Sequence, residues 1–589
     1  MITLRSVFLV VMTLCISAVL VAWGQRNSSI PSQQRVIPSP KVLEEQCQEV
    51  AGSPTVEEAA PGVWVARGFD LANTIAIATN NGKVIVDVSS TPERAAEVRA
   101  AIDEVLPGPV HALIYTHSHL DHVGGGVSWA EEDTPIYATA VFEHGFFEKY
   151  GMFRPIESIR GNRQFGRHVQ HDHLPCTSIG KRLDMDSLSS PGVLLPNATF
   201  SDSIDLEIDG VQLELHAAPG ETEDQLFVWL PEQRVLLPGD NFYDSFPNLY
   251  TIRGSRPRPV ESWIESLDKM RRRAPKVLIP SHTGAIVGES NVASRLTAYR
   301  DGIQWVRDQV VRGANEGLDI EQIVERTGLP PALQGESSLR ELYGQIDWSV
   351  RAIYGNELGW FDGRPHRLYP HPKEDIAQRS IELMGGPTAV LAAADDARKR
   401  GDSSWSLHLL ALLEDSQIQG ETSRAAREAQ EQLTIDTLRA LGEKTANTNG
   451  RAYLLQSALE VSGGVVPAPT PSPNLELVDR MPISLFFDIM KTRIIPKKAA
   501  GVEESVRFTF SDSSEDWFLT LRNGILEVAS GTPIPGSPAP VAVVSTDTRT
   551  WRRLSTQKIS PIPTLASGDL SIKNLPAFMK FMGRFDQSL

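Results

Sequence analysis

Residues 116–125 read THSHLDHVGG, so three imidazoles and one carboxylate fall within six consecutive positions: His117, His119, Asp121 and His122. The preceding residues, ALIY, form an apolar run that predicts a buried strand ending at this cluster. A packed core has no use for adjacent polar side chains, because each would need its own hydrogen-bond partner. Zinc and similar metals do bind imidazole nitrogen and carboxylate oxygen. The stretch therefore predicts a metal site in a loop after a strand.

The same ten residues resemble the HxHxDH signature of the metallo-β-lactamase superfamily. This resemblance implies an αββα sandwich with a two-metal site on one edge of the sheets, whereas periodicity alone indicates only an α/β fold. The residues before the cluster agree with it. Asn81-Gly82 predicts a hairpin turn between two strands, and Thr91 with Pro92 predicts the start of a helix running to Leu106.

Further matching ligands follow predicted strands in the order in which the superfamily places them. Glu221 stands where most members carry a histidine, Asp240 matches a carboxylate that bridges two metals, and His282 matches the last ligand. The resemblance implies two zinc ions per chain, with His117, His119 and Glu221 holding one, Asp121, His122 and His282 holding the other, and Asp240 bridging.

A glutamate at position 221 narrows the resemblance to the alkylsulfatase branch of the superfamily. Residues 248–254, NLYTIRG, resemble the branch's segment leading into a sulfate-binding arginine. Arg253 would then grip the sulfate, since a guanidinium fork suits a tetrahedral oxyanion, with Asn248 as a second donor; a surface-loop arginine is the alternative. The implied activity is hydrolysis of alkyl sulfate esters by a metal-activated water, with Asp121 also able to steer a proton.

Two positions depart from the branch's pattern. The branch usually has glutamate where this chain has Asp240, and it tends to have tyrosine where this chain has Phe165. Either change is consistent with a shifted substrate, such as secondary or aryl sulfates. Two other functions stay open: hydrolysis of another ester, lactone or lactam, and a secreted lipid-binding protein with a vestigial metal site.

The C-terminal half extends the resemblance to the branch's helical dimerisation domain and its sterol-carrier-like domain. Residues 373–462 are rich in good helix formers. Helical spacing places Trp405, Leu409, Leu412 and Leu413 on one face, predicted as core or subunit contact, with Ser406 and His408 off it. An Asn523-Gly524 hairpin and a last helix rich in Phe and Met predict a small α+β domain, whose apolar residues are read as core in preference to a lipid site.

The 589 residues thus predict a multidomain chain. The predicted parts are a signal peptide at 1–24, a linker or arm at 25–60, a metallo-β-lactamase-like αββα domain at 61–345, an all-α dimerisation domain at 346–464, a Pro-rich linker at 465–474, and a sterol-carrier-like α+β domain at 475–589. Within the catalytic domain, periodicity fades between 141 and 197, and His168, His171 and His173 are read as incidental members of a polar loop.

The N-terminus, charge and cysteines indicate compartment and partners. An apolar run at 7–23 ending in Ala22-Trp23-Gly24 predicts a secretory signal cut after Gly24, with an uncleaved membrane anchor less favoured, so the enzyme is expected to be secreted or periplasmic. Cys47 and Cys176 could form a disulfide in such an oxidising compartment. A net charge of -16 argues against nucleic acid as a partner. The expected partners are an alkyl sulfate or similar ester and a second copy of the chain.

Overall fold

The computed structural model describes residues 40–183, 191–416, 424–465, 475–514 and 516–586. The predicted signal peptide at 1–24 and residues 466–474 of the predicted Pro-rich linker lie outside the described residues, so both stay predictions. Among the described helices, none combines the length and the apolar character that a bilayer crossing requires.

Two β-sheets form the centre of the catalytic domain. The first has seven strands in chain order, antiparallel from β1 to β4 and parallel from β4 to β7. Its strands are β1 Thr55–Ala60, β2 Val63–Arg67, β3 Thr74–Ala78, β4 Lys83–Val86, β5 Val110–Ile114, β6 Ile136–Thr139 and β7 Ala198–Phe200. The second sheet has the order β13-β12-β11-β10-β9-β8, and only β11 and β12 pair in parallel. Its strands are β8 Ser203–Ile208, β9 Val211–Ala217, β10 Leu226–Leu230, β11 Val235–Leu237, β12 Val277–Leu278 and β13 Ile286–Val287.

The sheets pack face to face, and helices cover both outer faces. Residues such as Ile75 of the first sheet and Val228 of the second share one buried core. Helix Pro92–Val105 packs on the far side of the first sheet, while helices Val260–Arg272 and Glu289–Asn315 pack on the far side of the second. The predicted αββα arrangement is therefore confirmed.

Local signals in the sequence were reliable guides to turns and caps. The predicted hairpin turn at Asn81-Gly82 joins β3 to β4, and Asp209-Gly210 likewise joins β8 to β9. Asp209 and Gly210 have φ values of 46° and 86°, the pair of positive angles that a type I′ turn requires. Thr91 caps the helix at Pro92 by accepting a hydrogen bond from the Arg94 amide at 3.2 Å.

Part of the segment predicted as a linker or arm at 25–60 is instead folded on the catalytic domain. Residues Pro40–Val50 form a helix that buries Leu43 and Cys47, and β1 pairs with β2 at the edge of the first sheet. The hydrophobic signal was weak because β1 is an edge strand with mostly exposed side chains.

A disulfide joins this N-terminal helix to the catalytic domain. Cys47 and Cys176 are bonded across a sequence separation of 129 residues, with their Cα atoms 5.5 Å apart. Gln46 adds to the attachment, since its side-chain amide donates to the Ser178 carbonyl at 2.9 Å.

Replacing both cysteines with serine is expected to lower the free energy of unfolding by about 2–5 kcal/mol, because a long covalent loop restricts the unfolded chain. Urea unfolding with and without reductant measures this. Reductant should shift the wild-type midpoint downwards and leave the Cys47→Ser/Cys176→Ser midpoint unchanged. Equal midpoints for oxidised wild type and variant would contradict the prediction.

The helices after the second sheet form two groups. Helix Ile346–Leu358 packs on Glu289–Asn315 in the core of the catalytic domain, so the predicted boundary at 345/346 divides elements that share one core. A separate core centred on Ile381, Leu409 and Leu433 holds the next group together. The helices from 320 onwards are Ile320–Arg326, Ile346–Leu358, Lys373–Leu383, Pro387–Lys399, Ser403–Asp415, Arg424–Lys444 and Thr448–Val461.

One predicted helix face in this group was partly wrong. Leu409 is buried as expected, but Trp405 is 44% exposed and Ser406 is fully buried. Ser406, which was predicted to lie off this face, is buried with its hydroxyl 3.2 Å from the Thr437 hydroxyl. The partial exposure of Trp405 is compatible with the subunit contact that was the alternative to core.

The C-terminal domain is a five-stranded sheet packed against helices, as the α+β prediction required. The strands are β14 Glu504–Phe510, β15 Asp516–Arg522, β16 Ile525–Ser530, β17 Pro540–Thr546 and β18 Ser571–Lys573, in the order β16-β15-β14-β17-β18. The helices are Leu475–Arg480, Ile483–Thr492, Pro496–Ala499, Thr548–Ser555, Pro561–Ser567 and Leu575–Met582. Phe578 and Phe581 of the last helix are buried in this core, which favours the core interpretation of that helix.

The C-terminal domain also contacts the catalytic domain. Leu477, Met481 and Leu485 join the core that contains Phe146 and Phe147 of the catalytic domain. Those phenylalanines belong to helix Phe142–Phe147, which continues as a π-helical turn at Glu148–Met152 and is followed by helix Arg154–Gln164. This helical insertion occupies the first part of the segment between 141 and 197 where periodicity fades, and it forms one wall of the site.

Candidate metal centre and active site

The predicted metal ligands meet at one edge of the stacked sheets, in the loops after β5, β9, β11 and β12. Ligand atoms of His117, His119 and Asp240 all lie within 4.8 Å of one another. Ligand atoms of Asp121, His122 and His282 form a second group within the same limit. Residues more than 160 positions apart in sequence therefore converge in two adjoining clusters.

Asp240 lies between the two clusters. Its Oδ2 atom is 3.7 Å from Nε2 of His117, 3.4 Å from Nε2 of His122 and 3.1 Å from Nε2 of His282. A single carboxylate oxygen thus faces imidazoles of both groups, which is the geometry that a bridging ligand requires.

The donor atoms fit a pair of divalent cations. Nε2 of His122 and Oδ1 of Asp240 are buried and have no hydrogen-bond partner among the described residues. Nε2 of His117 and Nδ1 of His119 lie 2.8 Å apart. Buried polar atoms without partners are costly, and imidazole nitrogen with carboxylate oxygen is the donor set that zinc prefers.

Hydrogen bonds behind the ligands orient two of the imidazoles. Nδ1 of His122 donates to Oδ2 of Asp87 at 2.7 Å, and Nδ1 of His282 donates to the Leu71 carbonyl at 2.9 Å. Donation from Nδ1 leaves the Nε2 lone pair free for a metal. Asp87 also accepts hydrogen bonds from the Ser281 hydroxyl at 2.7 Å and from the Thr116 amide at 2.9 Å. This buried carboxylate therefore connects the loops after β4, β5 and β12.

The electrostatics of the clusters follow from burial and neighbouring charge. Burial would raise the pKa of Asp121, but adjacent His122 outweighs it and lowers that pKa. Burial lowers the pKa of His117 and of His119 well below the usual range. Burial therefore favours the neutral form of both imidazoles, which is the form that coordinates metals.

Glu221 stands beside the first cluster with a cationic partner. Its Oε1 atom is 3.9 Å from Nδ1 of His119, and its Oε2 atom accepts a hydrogen bond from the buried Arg258 guanidinium. Burial raises the pKa of Glu221 to about 7, although Arg258 opposes that shift. Glu221 thus lies beside the first cluster without belonging to either group of ligand atoms, so its role as a ligand stays a prediction. The arginine that accompanies it was not anticipated from the sequence.

Arg253 is buried beside the clusters and is not a surface-loop arginine. Its Nη1 atom donates to the Thr251 hydroxyl at 2.8 Å, and its Nε atom is 3.3 Å from Oε1 of Glu157. Its backbone amide donates to Oε1 of Gln164 at 2.9 Å, and the Phe165 ring lies 5.8 Å from the guanidinium carbon. Phe165 therefore supports this arginine with an aromatic face where the branch's tyrosine would offer a hydroxyl.

Asn248 is buried, and neither polar atom of its side-chain amide has a partner within the described residues. Its backbone amide donates to the Tyr243 hydroxyl at 2.7 Å. The amide is thus unpartnered, but Asn248 lines neither of the cavities described next, so its predicted role as a sulfate donor stays a prediction.

Two cavities, of about 370 and 150 Å³, open beside the clusters and share His119, Lys149, Glu157 and Arg253. The larger has arginines and the exposed apolar residues Val141, Phe153 and Ile156 in its wall. The smaller is mainly aromatic and aliphatic, and its apolar lining includes Phe146, Phe147, Tyr150, Phe165, Leu477 and Met481. The C-terminal domain therefore supplies part of its wall.

Lys149 was not anticipated from the sequence either. Burial, with Arg253 nearby, lowers its pKa to about 7, so a bound anion would favour its charged form. The only sequence signal was its place in the insertion where periodicity fades. His168, His171 and His173 are exposed and lie outside both cavities, as the polar-loop interpretation expected.

Comparisons with known proteins agree with this geometry. Family models match residues 67–282 (metallo-beta-lactamase superfamily), 319–464 (alkyl sulfatase dimerisation) and 472–588 (alkyl sulfatase C-terminal). The chain is 31% identical over 530 residues to a linear primary-alkylsulfatase from Pseudomonas sp., covering 86% of this chain and 97% of that protein. It is 29% identical over 510 residues to an (R)-specific secondary-alkylsulfatase from Pseudomonas sp., covering 83% and 74% respectively.

A solved structure resembles nearly the whole chain. The stereoselective inverting sec-alkylsulfatase Pisa1 from Pseudomonas sp. matches with a TM-score of 0.83 and 26% identity, over 93% of this chain and 87% of that one. The match spans the catalytic, helical and C-terminal parts together. The chain therefore belongs to the alkylsulfatase family of the metallo-β-lactamase superfamily.

Proposed function

We propose that this protein hydrolyses alkyl sulfate esters to an alcohol and inorganic sulfate, using two zinc ions. The observation that carries the proposal is the position of Arg253, a buried guanidinium at the junction of the ligand clusters and an apolar cavity. An alkyl sulfate needs metal ions near its ester bond, a cation at its sulfate head and an apolar cavity for its alkyl chain. The relatives named above are alkylsulfatases.

The zinc ions would be held by His117, His119, Glu221, Asp121, His122 and His282, with Asp240 between them. Two such ions supply Lewis acidity and lower the pKa of a water towards neutrality. The chain itself contributes the orientation of the imidazoles through Asp87 and Leu71, and Asp121 lines the smaller cavity where it can accept or pass a proton.

The sulfate would bind between Arg253 and Lys149, which line both cavities. Among the described residues, no group is hydrogen-bonded to Nη2 of Arg253, which leaves that atom to a sulfate oxygen. The unpartnered amide of Asn248 is assigned as a further donor. The alkyl chain would extend into the smaller cavity, where burial of each methylene contributes about 0.8 kcal/mol.

Sulfate release from alkyl sulfates of increasing chain length, in ¹⁸O-labelled water, tests the function. Activity should rise with chain length and disappear with a chelator, and the label will appear in the alcohol if C–O breaks or in the sulfate if S–O breaks. β-Lactams and lactones serve as competing substrates. Their hydrolysis without sulfate release would assign the enzyme to another superfamily reaction.

We also propose that the enzyme acts outside the cytoplasm. The disulfide between Cys47 and Cys176 supports an oxidising compartment, and the apolar N-terminal run supports export. Fractionation of expressing cells, with N-terminal sequencing of the mature protein, tests both. A protein retained in the cytoplasm with its first residues intact would contradict this.

The enzyme is further proposed to be a homodimer joined through its helical region. Large apolar side chains are exposed there, among them Leu358, Trp360, Tyr369 and Leu383, with Tyr369 and Leu383 at least 90% exposed. Exposed apolar surface of this extent marks an interface.

Replacing Tyr369 and Leu383 with glutamate is expected to convert the dimer to monomers, because charge would then be buried at the contact. Light scattering after size-exclusion chromatography gives the mass. Ile562→Glu is the matched control, since Ile562 is 76% exposed but lies in the C-terminal domain. A monomeric wild type, or a dimeric double variant, would count against this interface.

A further inference from the structure

Glu221 brings a negative charge to a position that is usually neutral in the superfamily, where most members carry a histidine. The two clusters already contain Asp121 and Asp240, so Glu221 is a third carboxylate in a small buried volume. Glu221 is 5% exposed, and a buried carboxylate is stable only when it is paired or bound.

Arg258 is that partner. It is also 5% exposed, and its Nη1 atom donates to Oε2 of Glu221. Among the described residues, Glu221 is the only acidic group that contacts Arg258, and Nε of Arg258 is buried without a hydrogen-bond partner. Arg258 thus has one acidic partner among the described residues, and it also lines the larger cavity.

The direction of the contact matters as much as its charge. Arg258 occupies Oε2, while Oε1 faces Nδ1 of His119 at 3.9 Å. One carboxylate oxygen is thus held by the protein, and the other is left for the first metal. The neighbouring Asn241 fixes the backbone, since its Oδ1 atom accepts from the Glu221 amide at 3.0 Å.

We propose that Arg258 is a positioning residue that makes a glutamate usable as a metal ligand at this position. It holds Oε2 of Glu221 and leaves a single oxygen for the first metal, as a neutral histidine would present a single nitrogen. This inference rests on the two-zinc function proposed above. It explains how the chain accommodates a charged ligand where the superfamily places a neutral one.

A double-mutant cycle measures the coupling between the two residues. The variants are Arg258→Met, Glu221→His and both together, each titrated with zinc alone against a chromophoric chelator, with bound metal counted by mass spectrometry. Arg258→Met should lower the affinity for one of the two zinc ions by about 10–100-fold. A loss of this size is usual when a residue that hydrogen-bonds to a metal ligand is removed. The double variant should bind zinc more tightly than either single variant, because histidine needs no cationic partner.

Matched control variants distinguish a specific loss of zinc affinity from a general loss of structure. Arg256→Met removes an arginine two positions away whose side chain is 54% exposed, and zinc affinity should not change. Arg258→Lys keeps the charge and should fall between wild type and Arg258→Met. Circular dichroism and thermal unfolding in chelator identify any variant that fails to fold, and the double variant then carries the test.

The possible outcomes separate a failure of the proposed role of Arg258 from a failure of the proposed two-zinc function. Fewer than two zinc ions on the wild type would reject the two-metal proposal. Two ions on the wild type, with unchanged affinity in Arg258→Met, would reject only the role of Arg258. Unchanged zinc affinity with a raised KM would make Arg258 a substrate contact instead, and strictly additive effects in the cycle would also overturn the proposal.

Discussion

Replacing Asp240 with asparagine is expected to lower the rate of sulfate release by on the order of 10³-fold and to remove at least one bound zinc ion. The Oδ2 atom of Asp240 lies 3.1–3.7 Å from the Nε2 atoms of three histidines that belong to both clusters. Asparagine keeps the shape of this side chain but removes the negative charge that would hold two cations close together. Steady-state kinetics and zinc counting on the same preparation measure the two effects.

Asp240→Glu is the matched control, since it keeps the carboxylate and matches the residue usual in the alkylsulfatase branch. It should retain two zinc ions, with a smaller change in rate than asparagine causes. If Asp240→Asn binds two zinc ions with wild-type affinity and hydrolyses at the wild-type rate, the carboxylate does not bridge the metals. Thermal unfolding in the presence of chelator checks that both variants are folded.

The ligand clusters could be predicted from the sequence because their signals are local. His117, His119, Asp121 and His122 are nearly contiguous, and the remaining ligands each follow an apolar strand. The ligand-bearing strands belong to two different sheets, so the resemblance to the metallo-β-lactamase superfamily, and not strand order alone, predicted that these residues converge. The hairpin turns were predictable from local signals, since Asn-Gly and Asp-Gly pairs act within a few residues.

The groups behind the ligands could not be predicted, because each acts across a long sequence separation. Asp87 ends a strand and reaches His122, 35 residues away, while Arg258 precedes a helix and reaches Glu221, 37 residues away. An aspartate after a strand and an arginine among prolines each suit an exposed turn equally well. Only the packing of the loops decides which of these charges is buried. The burial of Lys149 could not be predicted from the sequence for the same reason.

Replacing Arg253 with methionine is expected to lower kcat/KM for alkyl sulfates by about 10²–10³-fold, or about 2.7–4 kcal/mol of transition-state stabilisation. The guanidinium is held in place by Thr251, Glu157 and the Phe165 ring, so it meets the sulfate without further ordering. Charge on the sulfate changes as the ester bond breaks, and a fixed cation stabilises that change. Initial rates over a range of substrate concentrations separate kcat from KM.

The comparison with Arg253→Lys decides what the residue supplies. Lysine keeps the charge but loses the planar pair of donors, so its activity should lie between those of wild type and Arg253→Met. Zinc content should be unchanged in both variants, because Arg253 is not a metal ligand. The loss should be the same factor for short and long alkyl chains, since Arg253 would grip the head group. A loss that grows with chain length would instead place Arg253 in the wall of the apolar cavity and leave the sulfate to Lys149 and Asn248.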